Sequence, residues 1–458
     1  MKHLIAAIIS LVLCSVVVLS QQSDADLRLA IEKDKTSRDL TGKMMNLSAA
    51  EHLSRGMAYF DNRHFVEAIE HFQKIIDEYP SDPGVAKALF GIGRSHMWER
   101  EYAQAIPYLD RVAREFPATK DGREGLAFKA ACHVRLGKND EAAAIYEQYI
   151  TMYPDGERVE SAYLNIIDAL REAGRYDEAN VWVDKTRQRF AGMASETNAL
   201  HARLRMDIYR GQWSEAETTA DDMLLNARFG GSMTSMDEVK YLKAFAMEKA
   251  GKRGEATAVY SSIPVTDSSY FGGLAADRFS GSAPRTRLVS KTSFRSTQDY
   301  PVVYQSEVLQ YARAKKIDPR FVLAIMKQES TFRPGIKSPS AARGLLQLVY
   351  DRALKYNKQA GFPDLQPDDL YQPRINIAIG IEYLADLNKQ FGGLYEAIAA
   401  SYNGGEDNVA RWLNRSRPKE AGIFASEIGF AETKSYVFKV MNNYRIYREL
   451  YDENLNRK

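Results

Sequence analysis

Cysteine is almost absent from this chain: there are two in 458 residues, Cys14 and Cys132. Cys14 lies inside an N-terminal apolar run, so removal of that run would leave Cys132 alone and exclude an internal disulfide. A chain of this size, 45% hydrophobic, can bury enough apolar surface to hold itself together without one. No His or Cys pair stands at metal-ligand spacing, and no cofactor is suggested. A dense Lys/Arg run is missing too, which argues against a nucleic-acid partner. The net charge of +2 nevertheless hides a segregation. Residues 21–278 carry 34 basic and 41 acidic side chains, net −7, whereas 300–458 carry 23 and 18, net +5. The short stretch 279–299 adds +3. A mildly basic C-terminal half suits an anionic polymer as partner. No alternating strand of useful length is visible, although 361–370 leaves room for a small hairpin. The expected class is all-α.

The N-terminus indicates the compartment. Lys2 and His3 precede sixteen mostly apolar residues, Leu4–Leu19, and Val18-Leu19-Ser20 then fit a cleavage site before Gln21. This reads as a secretory signal over 1–20, so export is expected. The alternative is an uncleaved membrane anchor, but a spanning helix needs about 20 apolar residues. Lipidation at Cys14 is set aside, because Leu13 is too large for the preceding position and the apolar run continues beyond it.

Residues 21–48 form a charged leader, a short helix or a loose segment. A repeat then begins. Ala68, Ala105, Ala142, Ala179 and Ala216 are each 37 residues apart. Pro80, Pro117 and Pro154 follow the first three by twelve, and Gly137, Gly174 and Gly211 precede the later ones by five. Between these markers lie paired amphipathic helices, such as 49–61 and 65–78. The first copy sets Gly56, Tyr59, Ala68, Phe72 and Pro80 in an order that resembles the tetratricopeptide repeat. The fourth copy loosens, with Val183 and Ala191 replacing the aromatic and the proline. Stacked copies predict an α-solenoid over 49–279, with an irregular last unit around Ala256. Ser280–Thr297, rich in Ser, Thr and Arg, reads as part of a linker over 280–299.

Helical periodicity returns over 300–458. Asp318-Pro319 is a helix start, with Asp as N-cap and Pro at the first helical position. Phe321, Val322, Ile325 and Met326 mark an apolar stripe that Glu329 continues, four residues after Ile325. A buried carboxyl is costly to ionise, so its pKa should rise toward the range a general acid needs. The stripe alone also admits the opposite reading, a terminal Glu turned outward to solvent. Further helices are expected over 303–315, 345–359, 375–391, 394–402, 408–414 and 435–451, with a loop over 333–343.

Five separated motifs in this region agree with one family. Glu329-Ser330-x-Phe332, then Ser338, are followed by Gly344-Leu345-Leu346-Gln347 and Asn376-Ile377-x-x-Gly380-x-x-Tyr383-Leu384. Tyr402-Asn403-Gly404-Gly405 and Glu432-Thr433-Lys434-x-Tyr436-Val437 complete the order. Residues 300–451 thus resemble the catalytic domain of the soluble lytic transglycosylases, goose-lysozyme-like enzymes that cleave murein. Tyr270-Phe271-Gly272-Gly273 resembles the stretch that precedes it. Leu346, Tyr350, Ala341, Gly404 and Gly429 depart from the usual Met, Pro, Gly, Ala and Pro. These touch loop shape and glycan fit and remove no reactive group.

The resemblance implies a mainly helical, lysozyme-like domain acting on peptidoglycan glycan strands with Glu329 as catalytic acid. Glycoside hydrolysis ordinarily needs two carboxylates, and no Asp stands beside Glu329 as an obvious second. The resemblance implies how one suffices: the substrate's N-acetyl group assists departure, and the muramic acid 6-hydroxyl closes a 1,6-anhydro ring. By position, Ser338, Gln347, Tyr402, Asn403, Glu432 and Tyr436 become substrate-site candidates. All but Tyr436 have a structural alternative: a turn cap for Ser338, a buried amide for Gln347, a core ring for Tyr402. Asn403 would then hold the Gly-Gly turn, and Glu432 would be an acid favoured at a helix N-terminus. A lysozyme-like muramidase, or a glycan-binding scaffold whose repeats recruit envelope proteins, are the competing functions.

Overall fold

The structure, a computed structural model, describes residues 25–279 and 297–458. The expected signal and most of the expected linker lie outside these residues. Among the described residues the chain is helical, with isolated bridges at Arg38–Met44, Lys337–Arg343, Arg343–Leu348 and Tyr451–Arg457 and no strand. The leader is helical over 25–36. The stretch left open to a hairpin holds a 3₁₀ turn at Pro367–Tyr371 instead.

The repeat markers act locally as their chemistry demands. Helices Phe65–Glu78, Tyr102–Glu115 and Asn139–Met152 each stop two residues before a proline. The aromatic between, Tyr79, Phe116 or Tyr153, sits near φ −130°, because a residue before proline is driven out of the α region. Helix Tyr176–Arg189 stops at the same register on Phe190, although Ala191 stands where the proline was. Phe190 at that end is buried. The glycine marker is a left-handed turn: Gly137, Gly174, Gly211 and Gly251 have φ of 72–85°. Arg63 and Arg100 hold the same turn in the first two repeats at φ 66° and 65°, a conformation that strains a residue with a Cβ.

The packing follows. The five repeat alanines are fully buried. Phe72 lies between two glycines, so that a Cβ on Gly56 or Gly91 would come within 2.7 or 2.6 Å of its ring. Helices can therefore approach to ring thickness, and Phe72 fills the groove.

Two compact units are present. One comprises the chain to Ala169 with Arg333–Asn376; the other comprises Leu170–Phe332 with Ile377–Lys458. The first contains helix pairs from Ala49–Asp61 to Asn139–Met152, with a core including Phe72, Ile75, Leu89, Ile92 and Val112. Of the helix expected over 345–359, only Tyr350–Ala353 forms. Gly344 and Gln347 both take left-handed backbone, which a continuous helix forbids.

In the second unit, repeat helices Ala194–Arg210, Trp213–Asn226 and Met236–Lys249 share one core with Ala421–Glu427, through Leu204, Leu242, Phe245, Phe271, Ile423 and Ala425. Buried ion pairs add register. Glu427 receives Arg171 at 2.8 Å and Arg205 at 2.7 Å, and these cations with Arg415 hold its carboxyl down to about 2. Lys434 reaches Glu238 at 2.7 Å, both buried. Within this frame helix Pro319–Ser330 runs against Ala431–Leu450, the last long helix.

Candidate active site

Helix Pro319–Ser330 begins as expected, with the Asp318 carboxylate accepting from Arg320 N at 2.9 Å. Its burial exceeds one stripe: every residue from Pro319 to Met326 is buried. The helix breaks at Thr331, φ 50°, followed by Phe332 at φ 62°. Glu329 is therefore in the last helical turn, where the backbone carbonyls disfavour a negative charge. It is half-buried, and desolvation pushes its pKa up to about 7 against the Tyr436 hydrogen bond, which lowers it. The Tyr436 hydroxyl donates to Glu329 Oε1 at 2.6 Å. Burial and the adjacent Glu329 in turn push the Tyr436 phenol well above its ordinary range, so it stays a donor at any working pH.

The second unit also carries three further candidates. Tyr402, half-buried on Tyr395–Gly404, has its ring 5.2 Å from that of Tyr383. Asn403 is exposed, and its Oδ1 accepts from Thr433 Oγ1 at 2.7 Å. Glu432 is exposed in the first turn of Ala431–Leu450. Gly404, where the resemblance gives alanine, faces this bond: a Cβ there would lie 2.8 Å from Thr433 Oγ1.

Ser338 and Gln347 belong to the first unit. Ser338 Oγ accepts from Ala342 N at 3.1 Å and closes the turn. The Gln347 amide donates to Gly344 O at 2.9 Å and Ile336 O at 3.3 Å. The block that carries Gln347 is fastened by Asn376, whose Oδ1 accepts from Leu346 N at 2.8 Å. Its Nδ2 donates to Arg343 O at 3.0 Å and Leu370 O at 2.8 Å. A Cβ on Gly344 would overlap Leu370 O and Asn376, so only glycine fits there. Asn376, Tyr383 and Thr433 were not among the residues singled out from the sequence, though each lies inside a quoted motif. What was missing was not their identity but which atoms they face.

Chemically, the pair Tyr436–Glu329 presents one carboxyl poised near neutrality, able to give a proton and take one back. Among the described residues no group of His, Cys, Asp and Glu is placed to hold a metal ion.

Residues 307–424 match the transglycosylase SLT domain family. This part of the chain is an SLT domain. Tetratricopeptide repeats match over 53–82, 90–157 and 133–192. Glu329 and Tyr402 lie inside the matched part of the SLT domain, and Glu432 and Tyr436 lie beyond its end. A soluble lytic murein transglycosylase of Salmonella typhimurium is 36% identical over 151 residues, which are 32% of this chain and 23% of that protein. The Escherichia coli K12 protein of that name is 34% identical over the same length and shares. Membrane-bound lytic murein transglycosylase C of Cronobacter sakazakii is 30% identical over 166 residues, 32% of this chain and 46% of the relative. The matched stretch is thus under a quarter of the first two relatives.

Two solved structures share the fold over most of the chain. Lytic transglycosylase Slt of Pseudomonas aeruginosa, an inactive glutamate-to-glutamine mutant, aligns with TM-score 0.53 and 17% identity, covering 93% of this chain and 86% of that one. A 70-kDa soluble lytic transglycosylase in complex with bulgecin A gives 0.50 and 20%, covering 90% and 74%. Among the described residues, no helix is long and apolar enough to cross a membrane.

Proposed function

We propose that this protein is an exported lytic transglycosylase that cleaves the β-1,4 bond between N-acetylmuramic acid and N-acetylglucosamine in peptidoglycan. Glu329 is its single acid and base. The observation that carries the reading is a half-buried carboxyl pushed up to about 7, hydrogen-bonded by Tyr436, inside an SLT domain. At neutral pH both protonation states of such a group are populated.

In the first step the Glu329 proton moves to the glycosidic oxygen as the C1–O4 bond breaks. The N-acetyl carbonyl oxygen of the muramic sugar bonds to C1 and carries the positive charge. In the second step the Glu329 carboxylate removes the 6-hydroxyl proton, O6 bonds to C1, and the bond from C1 to the acetyl oxygen opens. The acid is restored, and no water is consumed. An intramolecular hydroxyl has the advantage of proximity over solvent. Tyr402 is suited to orient the N-acetyl carbonyl, and Ser338, Gln347, Asn403 and Glu432 are the glycan contacts. Tyr436 holds the acid. The domain limits of this reading are 49–279 for the repeats and 300–458 for the catalytic part. The repeats would hold envelope partners, and residues 1–20 would direct export to the periplasm.

Digestion of purified peptidoglycan followed by mass analysis tests it. Anhydro-muropeptides, lighter by one water than hydrolytic products, are expected from the wild type and not from Glu329→Gln. Reducing-end muramic acid as the main product would make the protein a muramidase. Equal release by both forms would remove Glu329 from the chemistry, and no release by either would leave a scaffold.

A further inference from the structure

Three consecutive residues in the turn of the first repeat, Asn62, Arg63 and His64, reach the segment that carries Ser338 and Gln347. Lys337 donates to Asn62 Oδ1 at 2.8 Å in a buried contact. Arg63 holds Asp351 with both prongs, Nε to Oδ1 and Nη2 to Oδ2, each at 2.8 Å. The His64 ring stacks on Tyr350 at 6.2 Å between centroids and 20° between planes. The order along the chain gives these contacts their meaning. Lys337 immediately precedes Ser338, and Tyr350 and Asp351 follow Gln347 by three and four residues. The turn therefore grips the segment at entry and exit, with both glycan candidates between the grips.

Arg63 is held in turn by the repeats. Its guanidinium lies 4.7 Å from the Trp98 ring centre, in the second repeat, and 5.2 Å from that of Phe65. It also keeps a left-handed backbone, φ 66°, where four later repeats use glycine. An arginine in that conformation costs about 1 kcal/mol that glycine would not, so the side chain must return something there. A bidentate, half-buried carboxylate pair with an aromatic base beneath it is a rigid clamp rather than a loose surface bridge.

We propose that the Asn62–His64 turn is a positioning element for glycan binding: the first repeat sets the shape of the 337–351 segment and so tunes affinity for the strand. The inference rests on the glycan role proposed above for Ser338 and Gln347. It makes the first repeat part of the substrate machinery without contact with the reacting atoms.

The test uses the full chain in a Glu329→Gln background, so that binding to purified peptidoglycan glycan strands is read without turnover. Adding Arg63→Ala should weaken binding about tenfold. The reversed pair Arg63→Asp with Asp351→Arg should recover most of that loss, whereas Arg63→Asp alone should not. In the otherwise wild-type enzyme, Arg63→Ala should raise KM by a similar factor and leave the pH dependence of kcat in place, since Glu329 is untouched. Equal binding by the Arg63→Ala form, or a charge reversal that folds by circular dichroism yet recovers nothing, would overturn the positioning role alone. If the Glu329→Gln protein binds no glycan at all, the function proposed above falls and this inference falls with it.

Discussion

Tyr436 donates its hydroxyl to Glu329 at 2.6 Å, and eight residues later on the same helix Tyr444 donates to Asp318 at 2.7 Å. One helix therefore holds the other at both ends, antiparallel, with the N-cap pinned by one tyrosine and the acid by another. The two tyrosines do different work. Asp318 is an ordinary capping carboxylate held below its usual range by Arg320 and Tyr444, against burial. Among the described residues no cation pairs with Glu329, so burial prevails and its pKa climbs.

Removing the phenol should therefore move the acid further up. In Tyr436→Phe the carboxylate loses the Tyr436 hydrogen bond, and its pKa should rise above about 7. The alkaline limb of kcat, where the general acid is lost, should shift upward by about half a unit to one unit, with kcat reduced at lower pH. A pH–rate series on peptidoglycan reads this. An unmoved limb would mean that the hydrogen bond does not set the acid's proton affinity.

The same shift predicts a stability cost with a definite sign. Glu329 titrates at about 7 when folded and near 4.5 when unfolded, so its contribution is full below pH 4.5 and is lost as the pH rises through 7. Glu329→Gln mimics the protonated acid at every pH. It should match the wild type at pH 4 and exceed it at pH 8 by about 1–2 kcal/mol, discounted for the half-exposed carboxyl. Denaturant melts at both pH values decide it; a gain of equal size at pH 4 would speak against the linkage.

Lys434 and Glu238 are both buried and 2.7 Å apart. Lys434→Met should cost about 3–5 kcal/mol, because an unneutralised carboxylate is left inside. Lys434→Met with Glu238→Leu should recover much of that. If the double variant is no better than the single one, packing rather than charge is at stake, as thermal unfolding would show.

Asn376→Ala removes three hydrogen bonds to backbone groups that are buried with it. The loss should be about 2–4 kcal/mol, and glycan affinity should fall as Gln347 loosens. Gly344→Ala should act the same way through overlap with Leu370 O and left-handed strain. Binding isotherms that stay at wild-type values in both would separate this block from substrate recognition.

Much of the fold was legible because its determinants are local. The 37-residue spacing, the alanines and the Pro stops each act within one turn of chain, and the structure places them as buried contacts and helix ends. Asp318-Pro319 started its helix for the same reason. The helix expected over 345–359 failed because its apolar spacing cannot report that Asn376, thirty residues on, claims the Leu346 amide. A terminal turn also hid the state of Glu329, since periodicity does not show how much protein closes over a side chain.

By itself the sequence determined the repeats, the helical class, and the order of the motifs that carry the candidate site residues. Only the tertiary structure decided what each group experiences. It put Tyr436 on Glu329 across 107 residues, Glu238 on Lys434 across 196 and Arg63 on Asp351 across 288. Proton affinity, ion pairing and loop position depend on dielectric and on distances of a few ångströms. Those are set by folding, between residues whose separation along the chain carries no trace of them.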